Sequence, residues 1–293
     1  MPNPIQITTN YERAVEVAKL VIGMLERKVY PFNIPDLFPD AIVPGGIEAG
    51  SEQHRLLLFY ACGWDSMDTS ERVYQRARTL ASKVDLTHLS FMSKEDLTKK
   101  LIEIFGPDME NAIGSPIETL CHNARKLVDY GRDPKNLKAE TLEETIKNIK
   151  QFKQYADEKA ALLIKNFVRF GVWDFSEFEI PIKIDRHALK IGIGAGIVTF
   201  PLETKQVRYD RPIKALRQVY QQVTQQEKIS AVKLDDAMWG IGAKLCMVNI
   251  KSYCQASCPI GCETRPYLDG STTIFHIRRD TREQTGSLFS DRN

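Results

Sequence analysis

Phe178-Glu-Ile-Pro-Ile-Lys-Ile-Asp-Arg-His187 is the stretch on which the reading of the fold turns. Its first half alternates apolar and polar residues around a proline, which predicts a short extended segment. Its second half delivers Asp185 to the start of a helix beginning near Arg186. A carboxylate there can cap a helix N-terminus and keep one oxygen for a ligand. One helix and one loop earlier stands Asp157-Glu-Lys-Ala-Ala-Leu-Leu-Ile-Lys165. Asp157 reads as the cap of that helix, and Lys159 falls in its first turn at the edge of the apolar face Ala160, Leu163, Ile164 and Phe167. The positive end of the helix dipole disfavours an ammonium at that place, so Lys159 is a candidate amine nucleophile.

Downstream, the helix-like run 234–245 leads into Cys246, Cys254, Cys258 and Cys262, four of the six cysteines within seventeen residues. Four thiolates so close together suit one compact metal centre, either a [4Fe–4S] cluster or, as the alternative, zinc. Cys62 and Cys121 lie far off in sequence and read as small core residues.

Most of the remaining chain has helical period. Residues 11–28, 51–60, 66–82, 93–105, 111–130 and 141–155 carry apolar stripes or polar starts, whereas Thr272 to Arg278 is the one good alternating run. The fold class expected is therefore all-α. Three divisions are expected: a helical lobe over 1–135, a catalytic lobe with the cysteine cluster over 136–270, and a C-terminal tail over 271–293. The net charge of +2 announces no global basic field, which leaves nucleic-acid binding to a local groove. An apolar leader and a span of about 20 apolar residues are both missing from this sequence, so the expectation is a cytoplasmic protein with no membrane partner.

Ile180-Pro-Ile-Lys-Ile-Asp-Arg-His187 resembles the Val-Asp-Thr-His segment of the helix-hairpin-helix DNA glycosylase superfamily, and more closely the Glu-Ile-Pro-Ile-Pro-Val-Asp stretch of archaeal 8-oxoguanine DNA glycosylases. Glu158 to Lys165 is similar to the helix that opens with the lysine nucleophile in bifunctional members, and the cysteine set resembles the iron-sulfur loop of endonuclease III relatives, with different internal gaps. The resemblance covers roughly 141–264. It implies a two-lobed helical fold with a C-terminal iron-sulfur loop, and an N-glycosylase acting on a modified or damaged purine in DNA. Asp185 would assist departure of the base, and Lys159 would form a Schiff base enabling strand cleavage. Trp173, Trp64 and His187 are candidates for contact with the extruded base, Trp173 first because its loop leads to Asp185.

One departure bears on the substrate. Where the superfamily hairpin carries glycines that approach a DNA phosphate, this chain has Phe152-Lys-Gln-Tyr-Ala156. Two alternatives therefore stand beside DNA: a free modified nucleoside or nucleotide, as in base salvage, and a non-catalytic metal-stabilised module that binds nucleic acid.

Overall fold

A computed structural model describes residues 6–64, 69–107, 116–201, 203–208, 210–246, 259–262, 264–268 and 274–279. The chain is mostly helical, and it divides into two compact units: 36–183, and the two ends 1–35 with 184–293.

The central unit, 36–183, contains α2 (Glu52–Gly63), α3 (Ser70–Lys83), α4 (Lys94–Phe105), α5 (Pro116–Lys126), α6 (Leu142–Ile149) and α7 (Asp157–Arg169). Side chains that accept a first-turn amide start four of them: Ser51, Thr69, Ser93 and Thr141. At α6 the cap is reciprocal, with Thr141 Oγ1 accepting from the Glu144 amide at 3.2 Å and donating to the Glu144 carboxylate at 2.9 Å. The core is built on α2, whose residues from Leu56 to Gly63 are all buried and which packs on α3, α5 and α7. A helix buried on every side carries no clean amphipathic stripe, which is why its period is weak in the sequence.

In the terminal unit, α1 (Tyr11–Glu26), α8 (Arg186–Gly194), α9 (Asp210–Glu227) and α10 (Ala231–Lys244) pack together. The α1 stripe Ala14, Val17, Ala18 and Val21 is buried against α9 and α10. Among the described residues, two small antiparallel sheets complete it. Thr8–Thr9 (β1) pairs with Val198–Thr199 (β2), while Ile274–Arg279 (β5) lies between Gln206–Arg208 (β3) and Thr264–Leu268 (β4). The β5 strand is the alternating run of the sequence.

The division corrects the lobes expected along the chain. The first 35 residues leave 36–135 and join the C-terminal elements, while α6 and α7 join the central unit. The reason is packing: the α1 stripe finds its apolar partner on α9 and α10, far away in sequence. The expected tail also starts too early, since β5 lies within 271–293. Among the described residues, no helix is long and apolar enough to cross a membrane.

Candidate active site

Asp185 is placed by the alternation that precedes it. Ile180, Ile182 and Ile184 are buried, so the intervening positions, and Asp185 after them, fall on the other side of an extended backbone. Asp185 is the N-cap of α8, as the sequence predicts. Its Oδ1 accepts from the His187 amide at 2.8 Å and the Ala188 amide at 3.1 Å, so both cap bonds fall on one oxygen of the half-buried carboxylate. His187 packs at the crossing of α8 and α10, with its ring 6.4 Å from that of Trp239. Burial lowers its pKa, against the opposing pull of Asp185 and of the Gly242 backbone, and its Nδ1 is buried without a hydrogen-bond partner. A neutral packing imidazole fits this better than a group that titrates against substrate.

Lys159 belongs to the central unit and stands in the first turn of α7. The connection from α6 is a tight hairpin. Gln151 and Phe152 donate back to the carbonyls of Asn148 and Ile149, and Gln154 adopts a left-handed backbone, φ 69°. Buried Asn123 of α5 clamps the turn from behind: its Oδ1 accepts from the Lys153 amide at 2.8 Å and its Nδ2 donates to the Lys153 carbonyl at 3.1 Å. Tyr155 is anchored in the core and donates its hydroxyl to the Phe59 carbonyl. The chain then enters α7 at Ala156, which has no side chain to cap the helix. Asp157 is the first helical residue rather than the expected cap, and α6 stops at Ile149 rather than near 155, because the left-handed turn at Gln154 needs those residues.

The half-buried Lys159 ammonium reaches the Trp64 carbonyl at 3.3 Å. Deeper in this unit lies a polar network. Cys62 Sγ is 3.5 Å from the Tyr74 hydroxyl, which accepts from Asn166 Nδ2 at 3.2 Å. Burial pushes the Cys62 thiol up to about 11, making it an inert core residue, as expected. Asp40, 7% exposed, faces Lys165 Nζ at 2.8 Å and Arg169 Nη1 at 3.4 Å, with Lys165 only 5% exposed. Burial alone would raise the Asp40 carboxyl, but the cations of Lys165, Arg169 and Lys183 hold it below the usual carboxylate range.

Two aromatic candidates change role. Trp173 is 2% exposed, packed edge-on against Phe167 at 4.6 Å, and its indole donates to the Lys135 carbonyl at 2.9 Å. With its ring enclosed and its N–H used, it is a core residue with no face for a stacked base. Trp64 is 3% exposed and lies edge-on to Phe105 at 6.1 Å, so it does not offer a stacking face either. Its Nε1, however, is a buried donor without a partner. Asn123 and Gln154 carry the turn before Lys159, and Asp40 holds Lys165 and Arg169; none has a signal of its own in the sequence.

The cysteine set is described only in part. Cys246 follows the end of α10 and Cys262 lies two residues after Ile260, both half-exposed and in no disulfide, while Cys254 and Cys258 lie outside the described residues. Among the described residues no group of three or more His, Cys, Asp or Glu is placed to hold a metal. Burial lowers the pKa of Lys190.

No family model and no curated protein matches the chain. Among solved structures it is similar to the 8-oxoguanine DNA glycosylase from Pyrobaculum aerophilum, solved with 8-oxoguanosine, at 18% identity and a TM-score of 0.49 over 79% of this chain and 87% of that one.

Proposed function

We propose that this chain is an N-glycosylase that releases a modified or damaged purine from DNA. The observation that carries the reading is the hairpin between α6 and α7. It forms a tight left-handed turn without glycine, using Gln154, and opens directly onto the helix that bears Lys159. The missing glycines argue against a DNA substrate, and Gln154 gives this turn a left-handed residue without one.

Asp185 would stabilise the positive charge that grows on the sugar as the glycosidic bond breaks. Its cap bonds hold the carboxylate by one oxygen, which fixes the group before substrate arrives. Lys159, as the neutral amine, would attack C1′ as the bond to the base breaks, and one amine proton would pass to the departing base. Opening of the C1′–O4′ bond, with the second amine proton passing to O4′, would leave a Schiff base and make strand cleavage accessible. Trp64 Nε1–H is a buried donor that an acceptor on the extruded base would satisfy. A cysteine-ligated centre, [4Fe–4S] or zinc, would brace the C-terminal loop.

The test is borohydride trapping on duplex oligonucleotides containing 8-oxoguanine, with the free nucleoside assayed in parallel. A covalent adduct with wild type and none with Lys159→Gln supports the reading. Hydrolysis of the nucleoside alone, with binding insensitive to salt, would replace DNA with the salvage substrate. Release from neither, by a protein that still binds nucleic acid, would leave the non-catalytic module.

A further inference from the structure

The α8–α10 crossing contains an approach too close for any side chain. A Cβ added at Gly242 would stand 2.5 Å from His187 Cβ, 2.9 Å from its Cα and 3.0 Å from its carbonyl carbon. Two of these three atoms are backbone, so no rotamer change makes room. His187 also carries one of the two amides that Asp185 caps, and Ala188 carries the other.

We propose that Gly242 is a positioning residue for Asp185: by letting α10 press on the His187 backbone, it fixes the turn that holds the carboxylate. This rests on the reading that Asp185 assists base departure. The same helix supplies an internal comparison. A Cβ at Gly192 would meet Leu216 Cδ2 at 2.6 Å, Cδ1 at 2.7 Å and Cγ at 3.2 Å, all side-chain atoms that a rotamer change can move. Adding one methyl group at Gly192 burdens α8 through a yielding neighbour. Adding one at Gly242 must displace the capped turn itself.

Wild type, Gly242→Ala and Gly192→Ala are compared by amide hydrogen exchange, DNA affinity and single-turnover base release. For Gly242→Ala, exchange at the His187 and Ala188 amides should quicken about tenfold or more as the cap loosens. Base release should fall about a hundredfold, the scale of an ångström-sized misplacement, with the Kd for DNA within about threefold of wild type. Gly192→Ala should stay within about threefold of wild type in both exchange and release, the scatter allowed to the control. Equal protection of the two amides in all three proteins overturns the proposal, as does equal loss of release in both variants. If wild type releases no base, the functional reading fails, while the exchange comparison still decides whether Gly242 holds the cap. Should Gly242→Ala not fold, the double variant His187→Gly/Gly242→Ala removes the 2.5 Å contact but keeps the two backbone contacts, and should stay less stable than His187→Gly alone. A double variant as stable as His187→Gly overturns the backbone coupling.

Discussion

Replacing Asp185 by asparagine should leave the fold almost untouched and stop the chemistry. Both cap bonds fall on Oδ1, at 2.8 and 3.1 Å, and an asparagine oxygen in the same place accepts both amides. What the substitution removes is the negative charge at the N-terminus of α8, which contributes about 0.3–1 kcal/mol. Alanine removes the bonds as well, and loss of such a cap costs about 0.5–2 kcal/mol. The expected order of stability is thus wild type, Asp185→Asn, Asp185→Ala, with steps that shift Tm by a few degrees. Base release should not follow that order. A preorganised group that stabilises charge in the transition state is worth about 10²–10³ in rate, so both variants should lose at least that much. Thermal unfolding and single-turnover release of 8-oxoguanine from a duplex measure the two quantities on the same preparations. An Asp185→Asn protein that releases base at the wild-type rate would refute the catalytic role. Equal losses of activity and stability down the series would reduce Asp185 to a helix cap.

Three other outcomes follow from the central unit. Asp40→Asn leaves Lys165 and Arg169 without their carboxylate in a site that water scarcely reaches, and should cost about 3–5 kcal/mol, read as a drop of roughly 10 °C in the unfolding of this unit. His54 is buried, accepts from the Gly50 amide at 3.0 Å, and has its pKa lowered by burial. Between that lowered value and the ordinary 6.5 the unfolded chain binds a proton that the folded chain refuses. Stability should therefore be level above pH 6.5 and fall on acidification below it, by at most about 1.4 kcal/mol per pH unit, and His54→Gln should flatten that slope in urea titrations. At Gln154, valine should destabilise by about 1–2 kcal/mol, because a β-branched residue resists the left-handed region. Glycine there should be close to neutral in thermal unfolding, since relief in the fold offsets greater freedom in the unfolded chain.

The contrast between Asp185 and Gln154 shows what a sequence can and cannot state. Asp185 is legible because its role is local: an extended run, a carboxylate and a helical run lie next to one another, and the cap bonds reach only two and three residues ahead. The caps at Ser51, Ser93 and Thr141 and the α1 stripe are legible for the same reason. The α6–α7 hairpin is decided elsewhere. Nothing in Phe152-Lys-Gln-Tyr-Ala156 asks for a left-handed residue, and the turn is imposed by Asn123, thirty residues away, gripping both polar atoms of the Lys153 backbone. Trp173 fails in the opposite sense. Its loop leads to Asp185, yet Phe167 and the Lys135 carbonyl claim its ring and its N–H. An aromatic residue near a catalytic segment carries no mark of which face the core will take, because that is settled by partners that local period does not encode. The same reasoning governs the hairpin's glycines. Their absence weakens a family pattern, but a left-handed residue in such a turn does not require glycine when a clamp from α5 holds the neighbouring backbone. Duplex binding should accordingly weaken when Asn123 is replaced by leucine, although Asn123 itself need touch no nucleotide. If Asn123→Leu binds duplex as wild type does, the hairpin is a connection and the DNA reading loses its support.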